Sequence, residues 1–136
     1  QTNKVKLAVK IFDFIHSVDS FKLAKKISDE QNKISKKIKI LLQINVGKEM
    51  QKSGIDIENV SKLYDECKEI NLNVVGLMCI PPIGKPVEKY FSAVCEKKNQ
   101  LKLDYLSLGM SSDYNEAIKF KSNYLRIGSK IFGKRS

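Results

Sequence analysis

Near the end of the chain, two stretches place small hydrogen-bonding residues directly after apolar runs. Tyr105-Leu-Ser-Leu-Gly-Met-Ser-Ser-Asp113 and Tyr124-Leu-Arg-Ile-Gly-Ser129 each read as a strand that stops at serine or glycine. Joined by one helix, two such strands lie side by side in a parallel sheet. Ser111, Ser112, Gly128 and Ser129 then share one rim with their backbone N–H groups unclaimed, which suits a phosphate group. Each half also has a plainer reading, because serines often cap helices and glycine often ends a strand. The hydroxyl, the helix N-terminus and the glycine rim on neighbouring strands together favour the phosphate.

Arg126 interrupts the second apolar strand. A charge cannot be buried there cheaply without a partner, so it either faces a ligand or an acid at the sheet end, or forms a structural ion pair. Beside a phosphorylated heterocycle its guanidinium is able to bond a ring nitrogen and keep it unprotonated, because arginine does not give up a proton. Lys52, in the polar loop Lys48-Glu-Met-Gln-Lys-Ser-Gly54, reads either as a surface lysine or as a cation facing an anionic ligand. His16, the only histidine, ends an apolar run with no triad partner in view, which favours a structural hydrogen bond over acid–base work. No Ser/His/Asp ordering, metal-ligand spacing or Walker loop occurs, and Gly109 and Gly128 are too far apart for a dinucleotide fingerprint.

Composition narrows the class further. The 136 residues are 42% hydrophobic, enough for one domain with a core, expected over 1–136. No apolar run approaches the roughly 18 residues that span a bilayer, and no signal-peptide pattern opens the chain, so no membrane partner is expected. Cys67, Cys79 and Cys95 form no CxxC and read as buried thiols of a reducing, cytoplasmic compartment. The net charge of +10 invites a nucleic-acid reading. Of the 25 basic residues, however, only Arg126 and Arg135 are arginine, whereas sequence-specific readers lean on arginine forks and aromatic platforms. The lysines scatter over every predicted helix, so no specific nucleic-acid partner is expected.

The elements that must position these groups alternate. Strand patterns start near residues 15, 38, 73, 105 and 124, and helical patterns fall between them. Ile15 to Asp19 is a short strand, with Asp19 or Ser20 capping the helix that carries Phe21, Ala24 and Ile27. Ile38 to Val46 is rich in β-branched residues. Helices are predicted over 56–70, 87–101 and 113–121, and a strand over 73–80 stopped by Pro81-Pro82. The segment 4–14 is helical or ambiguous. Such alternation means βαβ units and a parallel sheet. Five strands fit an open doubly wound sheet or part of a barrel wall, and are too few for a complete eight-stranded barrel.

Several segments in order resemble the YggS/PROSC family, the pyridoxal 5′-phosphate homeostasis proteins. They are Gln1-Thr-Asn-Lys4, Ile15-His-Ser-Val-Asp-Ser20, Leu42-Gln-Ile-Asn-Val46 with Lys52-Ser-Gly54, Gly76-Leu-Met-Cys-Ile-Pro81, Leu106-Ser-Leu-Gly-Met-Ser111 with Asp113, and Arg126-Ile-Gly-Ser129 with Ile131-Phe-Gly133 and Arg135. The resemblance implies an α/β fold, the (β/α)8 barrel of the alanine-racemase N-terminal domain, here as about five parallel strands, the fourth to the eighth, with flanking helices. It implies a pyridoxal 5′-phosphate carrier that buffers the cofactor without catalysis, is a monomer when whole, and serves pyridoxal-phosphate-dependent apo-enzymes. By resemblance, Ser111, Gly128 and Ser129 hold the phosphate, with Met110 at the same rim. Arg126 lies near the pyridine nitrogen, Lys52 near the ring hydroxyl, and Met78 or Ile80 against the ring face.

The family attaches the cofactor as a Schiff base to a lysine on the first strand, in an Ala-Val-Ser-Lys type motif. That motif precedes the Gln-x-Asn-Lys element and is not found here. Leu7-Ala-Val-Lys10 follows that element, so its position is wrong and it is not assigned. The chain is therefore expected to be the C-terminal portion of a longer protein, keeping the phosphate side of the site without the covalent lysine. Two other readings stand beside this one: a racemase-like enzyme using the same cofactor, and a lysine-rich nucleic-acid module.

Overall fold

The computed structural model describes residues 2–134. Gln1 and Arg135, which carry part of the resemblance, lie outside the described residues. The first helix, α1 (Val5–Ile11), follows a single 3-10 turn and resolves the ambiguous opening segment. Then strands and helices alternate: β1 (Phe14–Val18), α2 (Phe21–Lys33), β2 (Lys39–Ile44), α3 (Val60–Glu69), β3 (Asn73–Cys79), α4 (Glu88–Gln100), β4 (Tyr105–Met110), α5 (Tyr114–Lys119), β5 (Tyr124–Arg126) and α6 (Ser129–Phe132). The five strands form one sheet in the order β1-β2-β3-β4-β5, every pair parallel. This is the curled sheet of about five parallel strands expected from the sequence. Most boundaries shift by a residue or two, while the helix predicted from residue 56 opens as a 3-10 turn at Ile57–Asn59 and becomes α3 at Val60. The strand predicted to Val46 ends at Ile44, and α6 was not predicted at all.

Alternation along each strand splits the side chains between two faces. Ile40, Leu42 and Ile44 of β2, Leu77 and Cys79 of β3, and Leu106 and Leu108 of β4 join one buried cluster with Ile27 of α2, Leu63 of α3 and Phe91 of α4. The helices thus cover the convex face. The concave face carries the residues between, among them His16, Gln43, Met78, Ser107 and Arg126.

The sheet is strongly curled. Neighbouring strands lie about 4.8 Å apart, so a flat five-stranded sheet holds its edges about 19 Å apart. Yet the rings of Phe14 on β1 and Tyr124 on β5 lie 5.6 Å apart between centroids. Register shifts, which bend and twist strands, occur at Ile15/Val18, Ile40/Leu41 and Ser107/Met110.

Local chemistry explains the element ends. Ser20 caps α2 as predicted, its Oγ accepting the Leu23 N–H at 3.2 Å. Lys36 closes α1: its Nζ donates to the carbonyls of Val9 (3.0 Å), Lys10 (3.3 Å) and Phe12 (2.8 Å), satisfying acceptors a helix end leaves open. The buried Gln31 side chain accepts the Ile38 N–H at 2.9 Å and joins the end of α2 to the approach of β2. Apolar side chains remain exposed at both flanks of the sheet: Leu7, Ile11 and Phe12 beside β1, and Ile131 and Phe132 beyond β5. No helix among the described residues is long and apolar enough to cross a membrane.

Candidate functional site

The carboxyl ends of β3, β4 and β5 open into one cleft of about 1170 Å³. Lys52, Met110, Ser111, Arg126, Gly128 and Ser129, the residues singled out in the sequence, all line it. In parallel α/β sheets this end of the strands is where ligands bind.

Ser111 differs from its expectation. Serine at this place suits a helix cap, but α5 starts at Tyr114 with Asp113 in the cap position and no side-chain cap. Asp113 Oδ1 instead accepts the Met110 N–H at 2.6 Å and tightens the turn after β4. Ser111 Oγ accepts the N–H groups of Gly128 (3.1 Å) and Lys130 (3.2 Å), 17 and 19 residues away. Of the N–H groups expected to be free at this rim, that of Gly128 is therefore held by the serine hydroxyl, which also holds the Lys130 N–H. The hydroxyl binds the first turn of α6 to the end of β4, so the rim is one connected unit. A Cβ built on Gly128 meets no atom within 4 Å, so the backbone there faces open space.

The β4 turn depends on Gly109. Its φ is +94°, and a Cβ there would approach Ala117 Cβ at 2.6 Å and Leu125 Cδ2 at 3.0 Å. The register shift between Ser107 and Met110 falls at this residue. The glycine therefore permits close packing of α5 and β5 behind the rim.

Arg126 sends its guanidinium across β4 to β3. Nη2 donates to the Cys79 carbonyl at 2.8 Å, and Nη1 lies 3.1 Å from Met78 Sδ. No acid pairs with it among the described residues, and its Nε is buried without a hydrogen-bond partner. Of the two sequence-based alternatives, the structural ion pair is absent among the described residues. Burial pulls the pKa of the guanidinium down, while Cys79 and Asp113 oppose that shift. An arginine this basic keeps its charge at neutral pH. The Cys79 thiol is pushed up to about 12, mainly by burial, so it is a protonated neighbour and not a nucleophile.

Lys52 reaches the cleft wall, but its Nζ lies 2.6 Å from Glu49 Oε2. The two groups are close without hydrogen-bond alignment, since the buried Oε2 has no partner of that geometry. Lys52 therefore lines the cleft while lying against Glu49, a neighbour that neither reading of it included. His16 lies below the cleft on the concave face, with Nδ1 3.0 Å from Ser107 Oγ, the structural bond expected of it. Ser107 is fully buried, so the pair is no exposed nucleophile and base. Burial, and then the charge of Arg126, lower the pKa of His16.

Sequence reasoning missed the far wall of the cleft. Ile83, Gly84 and Lys85, in the loop after Pro81-Pro82, line it together with Phe132 of α6. Gly84 takes a φ of +74°, and the Pro-Pro-x-Gly-x-Pro composition of that stretch was a readable turn signal. The described residues contain no cluster of histidine, cysteine and carboxylate side chains able to hold a metal.

Comparison with known proteins agrees with this fold. A family model described as alanine racemase, N-terminal domain, matches residues 1–136. A pyridoxal phosphate homeostasis protein of Aquifex aeolicus is 37% identical over 145 residues, covering 99% of this chain and 64% of that protein. The chain thus spans less than two thirds of the length of this curated relative. Among solved structures, PipY of Synechococcus elongatus without PLP superposes with a TM-score of 0.87 at 30% identity, covering 98% of this chain and 67% of PipY. The structure of PipY with PLP bound gives a TM-score of 0.83 at 30% identity, covering 98% and 66%.

Proposed function

Since the chain belongs to the alanine racemase N-terminal domain family, in its pyridoxal phosphate homeostasis branch, we propose that its cleft binds pyridoxal 5′-phosphate and that the protein carries the cofactor without turning it over. The carrying observation is the convergence of Ser111, Gly128, Ser129 and Arg126 on one cleft, with a buried Arg126 Nε left unpartnered. The site residues fit the group. The open backbone at Gly128 admits a phosphate, and the N–H of Ser129 with the hydroxyl of Ser111 lies beside it. The Arg126 charge faces the same space from the sheet. Lys52, which also lines the cleft, would face the ring hydroxyl, and Met110, with Met78 or Ile80, would supply apolar contact.

Bound pyridoxal phosphate supplies an aldehyde and an electron-poor pyridine ring. A fixed guanidinium cannot give the ring nitrogen a proton, so it keeps that ring a weak electron sink. An enzyme using this cofactor also needs proton-transferring groups near the aldehyde. Among the described residues, Cys79 is a buried thiol and His16 is committed to Ser107, so neither of these two is placed for that role.

The cleft-lining lysines among the described residues are Lys52 and Lys85, and neither acts as the covalent anchor in this proposal. The working compartment is the cytoplasm, where free Cys67, Cys79 and Cys95 stay reduced. The recipients are pyridoxal-phosphate-dependent apo-enzymes, and the whole protein is monomeric.

Borohydride reduction of the chain mixed with pyridoxal phosphate, followed by peptide mass spectrometry, tests the carrier reading. The expected result is saturable binding with no single lysine trapped stoichiometrically and no racemisation of alanine. Stoichiometric trapping at one lysine, or turnover, overturns it.

A further inference from the structure

One side chain on the concave face ties three strands together. His16 sits on β1, an edge of the sheet. Its Nδ1 is 3.0 Å from Ser107 Oγ on β4. Its ring meets Tyr124 of β5, the other edge, at 4.9 Å between centroids and an interplanar angle of 70°. Phe14, two residues before it, reaches both Tyr105 (6.4 Å) and Tyr124 (5.6 Å). Phe14, Tyr105 and Tyr124 are the first residues of their strands, so these rings fill the amino-terminal end of the concave face, opposite the cleft. Arg126 follows Tyr124 by two positions and therefore points to the same side of β5.

We propose that His16 is a positioning residue: by holding β1 against β4 and β5 it sets the curl of the sheet, and with it the place of Arg126 in the cleft. The contacts around it are satisfied by a neutral ring. The groups facing it are Ser107 from β4, Tyr124 and the Arg126 charge from β5, and Phe14 from its own strand, with Lys39 of β2 placed 5.0 Å over the Phe14 ring. Ser107 is wholly buried and has His16 as its side-chain partner, so losing the imidazole leaves a buried hydroxyl unpaired. Among the described residues the edge strands β1 and β5 meet across the concave face through ring contacts, which orient less strictly than the hydrogen bond from His16 to β4.

NMR of the 136-residue chain tests this directly, because His16 is the only histidine and Arg126 one of two arginines. In the wild type, ring protons of Phe14 and Tyr124 give mutual NOEs. In His16→Ala those NOEs weaken and the Arg126 Nε–H signal shifts. His16→Asn, which returns a polar group near the place of Nδ1, restores the Arg126 signal, and His16→Phe does not. An unchanged Arg126 signal with intact Phe14–Tyr124 NOEs in His16→Ala overturns the proposal. If His16→Ala does not fold, equal behaviour of His16→Asn and His16→Phe overturns it. A further arm rests on the pyridoxal-phosphate reading: His16→Phe binds that ligand about tenfold more weakly, the equivalent of one misplaced hydrogen bond. A wild type that does not bind the ligand sinks that reading of function, while the Arg126 signal still decides the role of His16.

Discussion

The hydroxyl of Ser111 accepts the backbone N–H of Gly128 at 3.1 Å, across 17 residues of chain. With its second bond, to Lys130 N–H at 3.2 Å, it makes the ends of β4 and β5 one rim. Ser111→Ala removes both bonds and leaves the first turn of α6 untied. Each bond contributes about 1 kcal/mol. The substitution is expected to weaken pyridoxal phosphate binding about tenfold or more, read by isothermal titration, and to leave the affinity for phosphate-free pyridoxal nearly unchanged. Equal losses for both ligands contradict a phosphate role.

Gly109→Ala tests the turn behind that rim. A methyl group at a φ of +94° meets Ala117 and Leu125, and a side chain is strained there whatever the space. The expected cost is about 1–3 kcal/mol, or a fall in Tm of several degrees, measured by thermal unfolding. Faster amide exchange in α5 should accompany it.

Lys36 is expected to matter through its ammonium more than through its charge pair with Asp13. The three carbonyls it bonds belong to the end of α1 and the turn after it, whereas the Asp13 carboxylate is 3.4 Å away and largely exposed. Lys36→Met keeps the stem and removes the donors, at a cost of about 1–2 kcal/mol. Asp13→Asn is expected to be nearly neutral, as exposed pairs usually are. Urea unfolding of the two variants compares them.

Stability depends on pH through His16. Burial and the Arg126 charge hold its folded pKa below 6.5. The unfolded chain therefore binds more protons than the folded one as pH falls through that region, and stability drops with it. The contribution is fully present above about pH 6.5 and is lost as pH falls toward the lowered value. In denaturant unfolding between about pH 7.5 and about pH 5.5, the wild type loses stability and His16→Phe loses less. An identical slope for the two contradicts the assignment.

Much of this architecture is legible in the sequence because the strands are unusually plain. Ile38 to Ile44 and Asn73 to Cys79 are apolar runs bounded by turn residues, and Ser20 stands where a cap belongs. Met110, Ser111, Gly128 and Ser129 stand out for the same reason, since they lie at or just after the end of such a run, whereas Arg126 lies within one and Lys52 in the loop after another. Their pairing is not legible. Nothing local shows that Ser111 bonds Gly128 and Lys130 instead of capping α5, or that Arg126 crosses a strand to the Cys79 carbonyl, because those partners lie 17 to 47 residues away. The four-residue α6 was missed because so short a segment shows no periodicity. Lys52 and Glu49 are close enough in the sequence to suggest a pair, but whether the pair faces a cleft depends on the loop that carries it.

The most direct measurement is equilibrium titration of the chain with pyridoxal 5′-phosphate, set beside Arg126→Met, which deletes the cleft's guanidinium and its bond to the Cys79 carbonyl. The expected result is saturable one-to-one binding by the wild type and at least about tenfold weaker binding by the variant, from the loss of a charged hydrogen-bonding group worth about 1.5–3 kcal/mol. Far-UV circular dichroism should be unchanged. Equal affinity in wild type and variant, or no saturable binding by the wild type, contradicts a pyridoxal-phosphate site at the carboxyl ends of β3, β4 and β5.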